Sequence, residues 1–176
     1  MRDRRSCAPF LLSLNGRRRA ALVRNLAAAS LALIAVVAAG APAHADAAST
    51  YKRFCSVCHQ PNGRGVPGQF PRLNGRMAEI ASLPGGREYL LQVTSFGLRG
   101  RIEVDGKPIN GLMPTFPQIK DEGLVSVLNY LVLEIDPAAE PAAFEPFKPE
   151  ELAATRGGTK LTSADVYELR KKIGLQ

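Results

Sequence analysis

The run Cys55-Ser56-Val57-Cys58-His59 decides how this sequence is interpreted. Two thiols three positions apart, followed at once by an imidazole, form the attachment pattern of a c-type haem. In that chemistry both sulfurs add to the vinyl groups of the porphyrin, and the histidine binds the iron from one side. The run therefore predicts one covalent haem c, held through Cys55 and Cys58, with His59 as an iron ligand.

Other uses of a Cys-x-x-Cys pair fit this sequence less well. A tetrahedral zinc site needs two further cysteine or histidine ligands. The only other such residues are Cys7 and His44, near the start of the chain. A thioredoxin-like redox pair belongs in a βαβ setting, whereas a loop rich in proline and glycine follows His59. Because both cysteines of the run are used for thioether bonds, no disulfide is expected.

Residues 1–45 have the order of a secretory signal peptide. Seven arginines precede or flank an uncharged stretch, rich in Ala, Leu and Val, from Leu26 to Ala41, and Ala43-His44-Ala45 supplies the small residues of a cleavage site. We therefore predict export by the general secretory route to the periplasm, with a mature chain that begins at Asp46. The alternative is an uncleaved leader that anchors the protein in the inner membrane, because the apolar stretch is near the short limit for a span.

The formal net charge of +7 belongs almost entirely to this leader. Seven arginines and one aspartate among residues 1–45 contribute +6, which leaves about +1 for the remainder. No nucleic-acid partner is expected, and membrane contact is expected only if the leader is retained. The remaining charge is uneven, with nine basic and four acidic residues from Lys52 to Lys107 and two basic and eight acidic residues from Lys120 to Glu151. Asymmetric fields steer association with charged partners, although a solvated surface gives the same pattern.

The second iron ligand is expected to be a methionine. Beyond the leader the sequence has no second histidine after His59, and its methionines are Met77 and Met113. Met113 lies in a Gly-Leu-Met-Pro-Thr-Phe-Pro run, where Pro114 and Pro117 restrict the backbone. Met77 lies where a loop enters a predicted helix, which is typical of a packing residue. We therefore predict that His59 and Met113 bind the iron.

These residues resemble the class I cytochrome c family, which combines an N-terminal Cys-x-x-Cys-His with a later Met-Pro loop. The run Phe70-Pro71-Arg72-Leu73-Asn74-Gly75 is similar to the family's Pro-x-Leu-x-Gly segment, whose proline carbonyl accepts a hydrogen bond from the proximal imidazole. The resemblance covers most of residues 48–135. It implies an all-α fold, a small helical domain around one covalent haem, with Pro71 orienting His59.

We predict that the first and last helices of the domain contact each other. Tyr51 matches the family's aromatic residue that crosses the last helix, and Tyr130 is its expected partner. The last helix is predicted from an apolar stripe with steps of four, three and four residues, formed by Leu124, Leu128, Leu131 and Ile135. Asp121 is the nearest residue that could cap this helix.

Two segments depart from a purely helical plan. Asp105-Gly106 suits a type I′ turn, which predicts a β-hairpin with arms at 101–104 and 107–110. The sequence of the tail, residues 137–176, predicts a proline-rich strap followed by short helices at 149–156 and 163–170. The second helix is predicted to begin with a Thr162/Asp165 capping box. The predicted domains are thus a signal peptide at 1–45, a cytochrome c domain at 46–136 and the tail at 137–176.

Together these features imply a periplasmic one-electron carrier, not an enzyme, and no catalytic residues are predicted. A His/Met pair fills both axial positions of the iron and so discourages chemistry there. The motif order around the hairpin is similar to cytochromes that serve periplasmic dehydrogenases and terminal oxidases, which are the expected redox partners. The alternatives are a fixed cytochrome subunit of a dehydrogenase complex, or a haem enzyme or gas sensor with a weak sixth ligand.

A basic surface is predicted for docking. Four arginines flank the Pro71 loop and the hairpin, and are expected to form a basic collar for an acidic partner; they are Arg72, Arg76, Arg99 and Arg101. Arg99 or Arg101 could instead bind a haem propionate.

Overall fold

The computed structural model describes residues 43–135 and 144–176. Most of the predicted signal peptide, the last residue of the predicted cytochrome c domain, Asp136, and residues 137–143 of the predicted strap lie outside these ranges. The first described helix begins at Ala43, slightly before the predicted mature start at Asp46. Within the two ranges, no helix is both long and apolar enough to cross a membrane.

The described chain consists of helices with one β-hairpin inserted among them, as the sequence predicts. In chain order the elements are α1 (Ala43–Phe54), α2 (Ser56–His59), α3 (Met77–Ser82), α4 (Gly86–Phe96), β1 (Leu98–Val104), β2 (Lys107–Met113), α5 (Asp121–Tyr130) with a π-helical turn (Leu131–Ile135), α6 (Pro149–Gly157) and α7 (Ser163–Lys172).

Helix α1 packs against α5, as predicted for the first and last helices of the domain. The Tyr51 and Tyr130 rings lie with their centroids 5.8 Å apart and their planes inclined at 51°. Tyr51 is fully buried, and its hydroxyl donates a 2.7 Å hydrogen bond to the carbonyl oxygen of Gln60. All four residues of the predicted stripe are buried. The helical period of the sequence therefore identified the core-facing side of α5 correctly.

The predicted cap of α5 is wrong. Lys120 occupies the N-cap position and makes no capping hydrogen bond through its side chain. Asp121 lies inside the first turn and pairs with Arg156 of the tail, at 2.6 Å. A carboxylate in the first turn still stabilises the positive end of the helix dipole, but here an arginine distant in sequence determines its position.

The hairpin has the predicted turn and is longer than predicted. Asp105 and Gly106 have φ angles of 53° and 69°, the left-handed values that a type I′ turn requires. The antiparallel register extends from Val104 opposite Lys107 to Leu98 opposite Met113. Met113 is therefore the last residue of β2 and not part of a free loop. The sequence hid this extension because glycines, which are poor strand formers, face each other at positions 100 and 111.

Both predicted tail helices are present and pack on the rest of the domain. Helix α6 contacts α4 and α5, and α7 contacts α4 and β1. Leu152 and Val166 are completely buried, which shows that the tail contributes to the common core. Thr162 and Asp165 form the predicted capping box at the start of α7. The two described ranges belong to one compact unit.

Candidate haem site

A cavity with mostly apolar walls lies beside the Cys-x-x-Cys-His run. Its walls come from α3, α4, α5 and the inner face of the hairpin, and Cys55, Cys58 and His59 also line it. The apolar lining residues include Phe54, Ile80, Leu90, Val93, Leu98, Ile102, Val104, Ile109, Val127 and Leu128. A pocket of this kind, with a few polar groups at fixed positions, suits a flat apolar cofactor.

The two thiols lie on a single helical turn at the edge of this cavity. The amide nitrogens of Cys58 and His59 both donate to the Cys55 carbonyl oxygen, at 3.2 and 2.9 Å. No disulfide joins Cys55 and Cys58. Burial, with a further contribution from Cys58, raises the pKa of Cys55 to about 11. Since redox exchange needs a thiolate, this environment does not favour a dithiol redox pair at neutral pH.

His59 is held in the tautomer that can bind a metal. The residue is 8% exposed, and Nδ1 donates a 2.9 Å hydrogen bond to the carbonyl oxygen of Pro71. Because a carbonyl can only accept, Nδ1 carries the proton and the lone pair of Nε2 remains free. Burial lowers the pKa of His59, partly opposed by the bond to Pro71, so the neutral imidazole needed for ligation is favoured.

The loop from residue 60 to residue 75 places the Pro71 carbonyl beside His59. The Gly65 amide donates to the His59 carbonyl at 2.9 Å, and Val66 and Phe70 form a short antiparallel bridge. Gly65 has a φ angle of 62°, and a Cβ there would lie 2.4 Å from the Phe70 carbonyl oxygen. Only glycine fits this position without movement of the backbone that carries Pro71.

Met113 and Met77 both line the cavity. Met113 ends β2 and is followed by Pro114. Its carbonyl lies so close to Gly97 that a Cβ at Gly97 would be 2.5 Å from the oxygen. Met77, at the start of α3, is 4% exposed and belongs to the buried core. The structure thus brings the predicted ligand Met113 to the same cavity as His59. It places the predicted packing residue Met77 there as well.

The hairpin arginines do not face the cavity. Alternate residues of β1 line it, namely Leu98, Gly100, Ile102 and Val104. Arg99 and Arg101 therefore point to the other face, where both are exposed. Strand alternation places both side chains outside the cavity, so its lining gives no support to the interpretation of Arg99 or Arg101 as a propionate-binding residue.

Arg76 and Arg170 line the cavity instead. Arg170, from α7, is 4% exposed and donates to the Tyr89 hydroxyl at 3.2 Å and to the backbone oxygen of Gln176, the last residue of the sequence, at 2.6 Å. Burial, together with the nearby Arg170 and Arg72, lowers the pKa of Arg76. Within residues 43–135 and 144–176, no side-chain carboxylate lies at salt-bridge distance from Arg76 or Arg170. Guanidinium groups in an apolar cavity fit an anionic ligand group, and they would pair with haem propionates.

The predicted four-residue collar does not form one surface. Arg72 binds both carboxylate oxygens of Asp105 at the hairpin turn, at 2.5 and 2.9 Å, and also donates to the Asn74 carbonyl. Arg76 faces the cavity. Arg99 and Arg101 are thus the two members of the predicted collar that lie on the outer face of the hairpin.

The donor set fits a covalent haem. Two adjacent thiols, a neutral imidazole and a thioether share an apolar cavity with two guanidinium groups. Gly100 and Gly111, which face each other across the hairpin, line the same cavity, and a Cβ at Gly100 would lie 2.6 Å from the Tyr167 ring of α7. This fold and this site define a small helical haem protein of the c type.

Comparison with known proteins gives the family. The cytochrome c family model matches residues 44–133. A cytochrome c-552 from Thermus thermophilus is 46% identical over 134 residues, which cover 76% of this chain and 89% of the relative. A second cytochrome c-552 from Thermus thermophilus is 46% identical over 132 residues, which cover 75% of this chain and 99% of the relative. The chain belongs to the cytochrome c family.

Family membership establishes the cofactor and the general role. The chain carries covalently bound haem c, with Cys55 and Cys58 at the attachment positions. It is an electron-transfer protein and not an enzyme, so the haem enzyme interpretation is discarded. The sequence analysis missed two tail residues near the site, Arg156 and Arg170. No local pattern marks them, because arginines in short polar helices normally lie on a solvated face.

Proposed function

We propose that this protein is a periplasmic one-electron carrier whose haem is bound by His59 and Met113. It passes electrons between a dehydrogenase or respiratory complex and an acceptor. The observation that carries the proposal is the pairing of a neutral, buried His59, with Nε2 free, and Met113 in the wall of one apolar cavity. Bound haem would supply one iron atom that gains and loses a single electron.

The chain's residues account for the mode of action. The Pro71 carbonyl fixes the His59 ring and its tautomer, so that one axial donor is oriented in advance. A thioether as the other donor favours ferrous iron and raises the reduction potential relative to a second histidine. With His59 and Met113 both holding the iron, peroxide and oxygen would find no open site. Apolar walls around the cavity keep water away from the centre.

Met113 is preferred over Met77 because of its backbone setting. Paired strand residues hold it on one side and Pro114 restricts it on the other. A ligand on such a segment loses little conformational freedom when it binds. Met77 lies at the start of a helix, packed among core residues, where a thioether commonly serves as a filler of irregular space.

The ligand assignment is tested by replacing each methionine. Met113→Ala should lower the reduction potential by roughly a few tenths of a volt, within the range of about 0.8 V that axial ligands span. It should also open the iron to imidazole or carbon monoxide. Met77→Ala should do neither, although it will cost stability. Spectroelectrochemistry and ligand titration measure both effects. The reverse pattern would assign the sixth position to Met77.

The periplasmic location rests on the order of basic, apolar and small-residue segments in residues 1–45. Intact-mass measurement on protein from a periplasmic extract should give a chain that begins at Asp46 and carries one haem. Recovery of the haem protein in the membrane fraction, with its leader still attached, would support the anchored alternative.

The partners are proposed to be redox proteins, among them a periplasmic dehydrogenase and a terminal oxidase. Arg99 and Arg101, exposed on the outer face of a strand whose inner face lines the cavity, support docking of an acidic partner there. Charge reversal of both should slow electron transfer and flatten its salt dependence, whereas Lys172→Glu on α7 should have little effect. If both variants change the electron-transfer rate and its salt dependence equally, the outer face of the hairpin is not part of the docking surface.

A further inference from the structure

The segment from Pro114 to Lys120 connects Met113 to α5 and contains no helix or strand. Phe116 and Ile119 are buried, whereas Pro114, Thr115, Pro117, Gln118 and Lys120 are exposed. One backbone hydrogen bond closes the segment internally, from the Ile119 amide to the Phe116 carbonyl at 3.1 Å. Two apolar anchors and one turn leave such a segment dependent on contacts with the rest of the protein.

Arg156 of α6 supplies these contacts. Its guanidinium donates to the carbonyl oxygens of Ile119 and Phe116, at 3.1 and 3.3 Å. It also donates to the carboxylate of Asp121, in the first turn of α5, at 2.6 Å. The side chains of Arg156 and Asp121 are 24% and 28% exposed, so water screens the pair only in part. A single tail residue therefore links the segment after Met113 to the helix that follows it.

We infer that Arg156 is a positioning residue for Met113, so that the tail controls how readily the sixth ligand leaves the iron. The inference rests on the proposed function, in which Met113 is that ligand. Upstream, the strand pairing of Met113 with Leu98 fixes the backbone. Downstream, the Phe116 carbonyl, three residues away, accepts a hydrogen bond from Arg156.

Arg87 offers a matched control. It also joins the tail to the domain through a guanidinium, with two bonds of 2.7 Å to the Glu151 carboxylate and further bonds to the carbonyls of Glu145 and Pro146. Its side chain is 30% exposed, close to that of Arg156. These partners all lie in the tail and not in the segment between Met113 and α5. Loss of Arg87 should thus loosen the tail without releasing the Met113 segment.

The test measures the rate of imidazole binding to the oxidised holoprotein at saturating imidazole, where departure of Met113 limits the rate. Arg156→Ala should raise this rate by about tenfold or more, as expected when charge-assisted hydrogen bonds are lost. Arg87→Ala should leave it within about twofold of wild type. Arg156→Lys should lie between, because an ammonium group cannot contact two carbonyls and a carboxylate as the planar guanidinium does. The reduction potentials of all three should remain near the wild-type value.

The outcomes separate the inference from the proposed function. If Arg156→Ala and Arg87→Ala accelerate imidazole binding equally, general loosening of the tail is responsible. If Arg156→Ala does not accelerate it, the contacts of Arg156 do not affect Met113. Either result overturns the inference. If Arg156→Ala does not retain folded holoprotein, the milder Arg156→Lys replaces it under the same comparison with Arg87→Ala. The proposed function fails separately if Met113→Ala binds imidazole no faster than wild type.

Discussion

Residues 43–135 and the described tail, residues 144–176, contribute to the same site in different ways. The first region supplies the thiols and imidazole from one run of five residues, with Pro71 and Met113 added by nearby loops and strands. The tail supplies Arg170 to the cavity and Arg156 to the segment after Met113. The residues that attach the haem therefore lie close together in the sequence, whereas side chains distant in sequence help to enclose it.

Removing the attachment residues should have the largest effect and tests the first region. Changing Cys55 and Cys58 to Ala should abolish covalent haem, and the apoprotein should be largely unfolded because the cofactor fills the centre of the core. Mass spectrometry and circular dichroism measure the two effects. Recovery of a cooperative, well-folded apo-domain would show that the core does not depend on the haem.

A core deletion in the tail should cost stability without loss of the cofactor. Leu152 is completely buried in α6, so Leu152→Ala should lower the free energy of unfolding by about 2–5 kcal/mol. Covalent haem should remain, since no attachment residue is touched. Leu161→Ala, at a half-buried tail position, is the control and should cost less in a denaturant titration. Equal losses would mean that the tail does not pack through Leu152 as described.

Removing the positive charge of the buried tail residue Arg170 should change the reduction potential of the haem more than it changes the covalent attachment of the haem. Arg170→Gln removes one positive charge from the cavity wall. This loss of positive charge favours ferric over ferrous iron. The potential should fall by roughly tens of millivolts, the size of one charge interaction at an effective dielectric constant of about 20. Arg99→Gln, on the outer face of the hairpin, should change it much less. Equal shifts in spectroelectrochemical titrations would mean that Arg170 has no special proximity to the haem.

The smallest expected effect concerns the exposed pair between Arg72 and Asp105. The Arg72 guanidinium lowers the pKa of Asp105, so the pair stabilises the fold above the ordinary aspartate pKa and loses that contribution as pH falls through the lowered value. Asp105→Asn should cost at most about 1 kcal/mol at neutral pH, because solvent screens the pair. The difference from wild type in denaturation experiments should shrink below about pH 4. A difference that grew on acidification would contradict the assigned sign.

The sequence predicted those parts of the fold that depend on local pattern. The stripe on α5, the Asp105-Gly106 turn and the Thr162 capping box are all present, because helix period, turn chemistry and capping act over a few residues. The length of β2 was underestimated, since its extension depends on pairing with Leu98. Asp121 was misread as a cap because its partner, Arg156, lies 35 residues away.

The arginines near the site also show that local sequence patterns do not predict contacts between distant residues. Sequence position alone grouped Arg72, Arg76, Arg99 and Arg101 as one surface, but the fold assigns them to an ion pair, a cavity wall and an exposed strand face. Strand alternation could have separated Arg99 and Arg101 from the cavity once Gly100 and Ile102 were assigned inward. The burial of Arg170 follows from packing of α7 on α4 and β1, which no local rule predicts.

Ligation of the iron by both His59 and Met113 is the central claim, and one absorption measurement tests it most directly. The purified, oxidised holoprotein should show the weak band near the red end of the visible spectrum that marks methionine bound to ferric haem. The band should persist in Met77→Ala and disappear in Met113→Ala. Its absence from the wild-type protein, or its survival in Met113→Ala, would contradict the account.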